Sequence, residues 1–175
     1  AIPQCRRAVY SKKVPSNHQG KHLAKMYGKT NTPEFRYLEG YEDHNVNILF
    51  FWNEEHELIA MAINIAAPAQ VVEDAYGIGS DYWHPVRKAL KKRFNPDLCV
   101  CGWIGAAGDQ CINVDGYSQM YGNAAMNRMR EMRNLSRVDE LARRIIEEVN
   151  DVYDVVKDDK HCDIQLSHIM DTVAL

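Results

Sequence analysis

The 175-residue chain predicts an α/β fold, a layered domain in which a mixed β-sheet is flanked by helices. Three observations carry that prediction. Two apolar runs, "NVNILFFW" (45–52) and "ELIAMAINIAA" (57–67), are separated only by the polar "NEEH", which predicts an antiparallel hairpin. A third apolar run, "LCVCGWIG", follows a helix-patterned segment, so the order is strand, strand, helix, strand. The last third of the chain is helical in pattern.

Taken in order, residues 1–41 are rich in Pro, Gly and Lys with weak periodicity. This lead segment is expected to be turns and loops, a surface segment or a lid. Residues 42–175 are expected to supply the sheet and helices of one domain spanning 1–175. In the first strand Val46, Ile48 and Phe50 alternate with outward positions. The second strand is apolar on both faces, as a central strand is. "SDYWHPVRKALKKRF" predicts a helix capped by Ser80 or Asp81, with Pro85 early and Val86, Leu90 and Phe94 on one face. "NPD" ends it. In "YGNAAMNRMREMRNL", Met126, Met129 and Met132 fall at three-residue steps and are expected to pack in the core or against another helix. The final helix begins at Ser136, which forms a capping box with Asp139. Val138, Leu141, Ile145, Val149, Val152 and Val156 make its apolar stripe, and its Glu- and Arg-rich opposite face is expected to be solvated.

Composition bounds the partners. A net charge of −3 with acids and bases interspersed gives no basic footprint for nucleic acid or a membrane surface. The apolar runs fall well short of the ~20 residues of a transmembrane span. The chain opens at Ala1 without a basic-then-apolar signal pattern, and either a processed product or a piece of a longer polypeptide is expected. The five cysteines match no zinc-ribbon or zinc-finger spacing.

Candidate chemistry gathers in "GWIGAAGDQCIN", a small-residue turn directly after a strand, where α/β sheets collect functional groups. Its glycines and alanines allow close backbone approach to a ligand. From Gly108 onward the backbone N–H groups can serve as oxyanion donors, and Asp109 can orient a polar group. Cys111 is open to three readings: nucleophile, metal ligand or small apolar filler. In "QVVEDAYGIGSDYW", Ser80 and Asp81 precede a helix and suit either an N-cap or an anion-holding turn, and Gln70 and Glu73 can line the same cleft. His18 and His22 are spaced as a metal pair only if they lie on a helix; solvated loop positions are favoured. His44, His56, His84, His161 and His168 fit loop, turn, helix-start and tail positions.

The ordered segments "RRAVY", "EDHNVNILFFW", "NIAAPAQVVE", "IGSDYW", "GAAGDQ" and "ELARRIIEEVNDVY" resemble the neutral/alkaline non-lysosomal ceramidase family, especially its bacterial ceramidase-like members. The resemblance covers essentially the whole chain and corresponds to the central part of the family's catalytic region. It implies a hydrolase of linear amides acting in sphingolipid metabolism, periplasmic or secreted. In the family a Gly-Asp-x-Ser loop carries a serine that attacks the ceramide amide, activated by zinc held by histidines, a glutamate and a tyrosine. Residue by residue, Gly108, Asp109 and Gln110 match that loop and Cys111 takes the serine's place; Arg6 in "CRRAVY" matches a motif arginine.

The chain departs from the family at Pro68, which stands in "AAPAQ" where the family has a zinc-binding histidine. A proline side chain donates nothing to a metal, so no metal ligand is assigned and the zinc expectation is left unfilled. Two functions follow from the resemblance. One is an N-acyl hydrolase with Cys111, Asp109 and Gly108 in the nucleophile loop and Arg6, Gln70, Ser80, Asp81 and Gln110 positioning a lipid or other N-acylated small molecule. The other is a non-catalytic scaffold that binds a lipid, sugar or protein, with the rest of a longer chain as its neighbour.

Overall fold

The structure, a computed structural model, describes residues 8–11, 22–25, 33–38, 43–72, 77–108 and 123–172. The lead segment departs from the expectation of turns and loops. It holds three four-residue strands, β1 (Ala8–Ser11), β2 (His22–Lys25) and β3 (Phe35–Leu38), paired antiparallel in the order β2-β1-β3. Four residues span only two side-chain alternations, too few for a period to stand out among Pro and Gly punctuation. A register shift between Val9 and Tyr10 blurs it further.

The main sheet follows the predicted order. β4 (Val46–Trp52) and β5 (Leu58–Ile65) form the antiparallel hairpin. Its turn is closed by Asn53, whose N donates to Glu57 O at 3.0 Å and whose Oδ1 accepts from Glu57 N at 2.7 Å. His56 sits there with φ 63°, a left-handed conformation reached at a loop tip. Next come the helix α1 (Trp83–Arg93) and β6 (Cys99–Ile104), which pairs parallel with β5; α1 is the crossover that a parallel pair requires. The order β4-β5-β6 makes β5 central, as its apolar composition predicts. The α/β class is therefore observed as a mixed three-stranded sheet with helices packed on it.

α2 (Asn123–Met132) and α3 (Arg137–Val156) complete the chain. α1 and α3 pack against one another and together cover one face of the sheet. Met61, Ile63 and Ile65 of β5 are buried there with Val86 and Leu90 of α1 and Leu141, Ile145 and Val149 of α3. Burying a side chain such as Ile63 contributes about 1.5–3 kcal/mol. The β4 residues Val46, Ile48, Phe50 and Trp52 pack at the margin of this core. Tyr153 lies edge-on to Phe94 with centroids 4.6 Å apart, tying α3 to the end of α1. Trp83 lies so close over β6 that a Cβ added at Gly102 would stand 2.4 Å from its ring.

Three local expectations are corrected. The α1 N-cap position is Tyr82, without a side-chain cap, and neither Ser80 nor Asp81 fills it. Ser80 contributes its backbone carbonyl, which accepts from Trp83 N at 3.0 Å, while Asp81 is diverted to the preceding loop. Met129 and Met132 of α2 are exposed, so the expected core packing does not hold for them, while the Met126 side chain lies outside the described residues; Arg130 is half-buried. Finally, the polar face of α3 is not uniformly solvated. Glu140 is 4 % exposed and takes a two-bond fork from Arg143 at 2.9 Å each and a bond from Arg144 at 3.0 Å. The Arg143 hydrogen bonds hold its carboxyl below the usual carboxylate range. The α3 cap matches expectation: Ser136 Oγ accepts from Asp139 N at 3.1 Å. No helix among the described residues is long and apolar enough to cross a membrane.

Candidate functional site

The carboxyl ends of β5 and β6 leave the sheet side by side. Gly105 N donates to Ile65 O at 2.8 Å, continuing the ladder one residue beyond β6. A Cβ at Gly105 would lie 3.1 Å from Asn64 Oδ1 and 3.4 Å from the Ala66 backbone, so the two chains are in close contact where they exit. This is the edge at which open α/β sheets carry ligand groups.

The loop before α1 is joined to the same edge. Asp81, at φ 51°, accepts from Val72 N at 2.9 Å through Oδ2 and from Tyr82 N at 2.7 Å through Oδ1. The Tyr82 hydroxyl is buried and donates to Ala67 O at 2.9 Å; burial raises its phenol well above its ordinary range, so it remains a neutral donor. These bonds hold the segment after β5 against the start of α1. Within that segment Gln70 is half-buried, and its N donates to Pro68 O at 3.0 Å.

Of the predicted site residues, Gln70 and Asp81 are thus in neighbouring loops cross-linked through Val72 and Tyr82. Asp81 is committed as a structural acceptor, and Ser80 is exposed beside it. Gly108 is exposed at the described end of the loop after β6, with open space where a Cβ would stand. Arg6, Glu73, Asp109, Gln110 and Cys111 lie outside the described residues. Pro68 is half-buried, and its carbonyl is taken by the turn. Among the described residues no group of three His, Cys, Asp or Glu side chains could hold a metal, and Pro68 offers no ligand. The described residues therefore do not fit the zinc site implied by the resemblance. His22 opens strand β2, so the helical His18/His22 pairing does not apply; His18 is outside the described residues.

Sequence reasoning missed the second face of the sheet. Opposite α1 and α3, the registers set Asn47, Asn64 and Trp103 in one row, Leu49, Ala62 and Cys101 in the next, and Phe51, Ala60 and Cys99 in a third. Leu49, Phe51 and Trp103 are 56 %, 45 % and 50 % exposed. Between them Ala62 and Asn64 line a shallow depression of about 550 Å³. Cys99 and Cys101 stand side by side with sulfurs 3.9 Å apart. The Cys99 contact raises the Cys101 thiol, and the nearby Arg87 charge opposes that shift. The signal was present in "CVC": residues two apart on a strand share a face.

No protein-family model, curated protein or solved structure matches this chain.

Proposed function

We propose that the chain is a ceramidase-like hydrolase that cleaves a linear N-acyl bond in a lipid or another N-acylated small molecule, with Cys111 as its nucleophile. The observation that carries this reading is the convergence at one sheet edge of the loop after β6, which leads into Gly108, Asp109 and Gln110, with the cross-linked loops holding Gln70 and Asp81. A thiolate is nucleophilic in its own right. The Cys111 sulfur bonds to the acyl carbon, the C–N bond breaks, and the amine leaves with a proton. Water then cleaves the thioester, releasing the acid and regenerating the thiol. Backbone N–H groups from Gly108 onward stabilise the oxyanion, Asp109 orients a polar group, and Arg6, Gln70, Ser80 and Gln110 position the substrate.

One observation favours a second reading, a non-catalytic ceramidase-like scaffold that binds a lipid, sugar or protein partner. Pro68 stands where the resembled family holds a metal ligand, and the described residues bring together no replacement.

The test is release of fatty acid from a fluorescent N-acyl-sphingosine by the purified chain and by Cys111→Ala. Release by the wild type with loss of about 10³-fold or more in the variant supports the nucleophile. Equal release by both removes that role. Binding without release selects the scaffold.

A further inference from the structure

We propose that Cys99 and Cys101 form a two-thiolate binding site for a soft, thiophilic cation on the face of the sheet opposite α1 and α3. The proposal is independent of the hydrolase reading, because the pair lies on β6 itself, before the loop that carries Cys111.

Geometry argues for a bridging ion. The two sulfurs are 3.9 Å apart. With metal–sulfur bonds of about 2.3 Å, that separation corresponds to an S–M–S angle of about 116°, between tetrahedral and trigonal values. A direct disulfide fits less well. Residues two apart on a strand have Cα atoms about 6.6 Å apart, near the upper limit for a disulfide, and nearly parallel Cα–Cβ bonds. Closing the bond would require β6 to bend, whereas its backbone is held by pairing with β5 and by Arg87 Nε, which donates to Val100 O between the two cysteines at 3.1 Å.

The surroundings leave room for an ion. Both cysteines are exposed, and their cross-strand neighbours on β5 are the small Ala60 and Ala62. As each metal–sulfur bond forms, its thiol proton passes to solvent, so a divalent cation on two thiolates is electrically neutral and no oxidant is consumed. Soft sulfur ligands select ions such as Cu(I), Zn(II) and Cd(II). No third His, Cys, Asp or Glu joins the pair among the described residues, which leaves the remaining coordination positions to water or an added thiol.

The experiment is a titration of the reduced full chain with Cd²⁺, followed by sulfur-to-cadmium charge-transfer absorption. Wild type should bind one ion, and Cys99→Ser and Cys101→Ser should each weaken binding about a hundredfold or more, because each removes one arm of a chelate. Cys162→Ser, altering an exposed cysteine of the C-terminal segment, should bind as wild type. A second measurement needs no variant. Phenylarsine oxide loses its oxygen as water when it bridges two thiols, and peptide mapping should find one arsenic bridging Cys99 and Cys101. Undiminished Cd²⁺ binding in the two serine variants, or arsenic mapped to any other cysteine pair, would overturn the proposal.

Discussion

The two faces of the β4-β5-β6 sheet are built from alternating residues of the same three strands, yet they differ in almost every physical respect. On the covered face Met61 and Ile63 are fully buried, Gly102 receives the Trp83 ring, and α1 and α3 exclude water. On the opposite face Leu49, Phe51 and Trp103 remain about half exposed, two asparagines pair across strands, and two thiols lie in contact. The contrast teaches that helix packing assigns the faces their roles. One face supplies stability through close packing; the other keeps side chains whose chemistry needs access.

The largest break in that contrast is expected from Gly102→Ala. The added Cβ would stand within 2.4 Å of a Trp83 ring that is itself buried, so ring and helix must shift together. A loss of about 3 kcal/mol is expected from overpacking, measured as a lowered urea midpoint. A loss below about 0.5 kcal/mol would show that α1 does not sit tightly on this face.

A smaller effect is expected from Glu140→Gln, which acts on the covering helix α3. The amide keeps one acceptor oxygen but turns the other into a donor, so the Arg143 fork is broken and both arginines lose their shared carboxylate charge, at a cost of about 2 kcal/mol at neutral pH. The pH dependence has a definite sign. The folded-state carboxyl is held below its ordinary value of 4.5, so its contribution is present above 4.5 and is lost as pH falls through the lower folded-state value. Wild type and variant should therefore differ most near neutrality and converge in acid; a difference independent of pH would remove the charge from the explanation.

The smallest effect is expected on the open face. Phe51→Ser should change stability by less than about 1 kcal/mol, since Phe51 is 45 % exposed and faces only Ala60 across the strand pair. A loss approaching that of Gly102→Ala would mean that this face is covered in solution.

Much of the fold was legible because its signals are local. "NEEH" between two apolar runs specified the hairpin, and Ser136 with Asp139 specified the start of α3. The errors arose where a side chain had more than one available partner. Asp81 looked like a cap for α1, but Val72 N offered an acceptor-seeking donor from a loop nine residues away. Glu140 looked solvated, but it is buried and shared as an acceptor by two arginines on the next turn of its own helix. The candidate site was legible only in part. The loop after β6 was placed correctly at a strand's carboxyl end, while the tie between the segment holding Gln70 and the start of α1, made by Val72 N to Asp81 and by the Tyr82 hydroxyl to Ala67 O, depends on contacts that no spacing rule encodes.

By itself, then, the sequence determined the order and type of the main elements, the central place of β5 and the capped start of α3, because periodicity and capping act over a few residues. In β5 and β6, tertiary structure alone decided which face is covered and therefore which alternate residues became core. It also decided that Trp83 lies over Gly102 and that Cys99 and Cys101 remain accessible. A two-residue period sorts side chains into two sets. Where both sets are largely apolar, as in β5, only the packing of distant helices tells which set meets water.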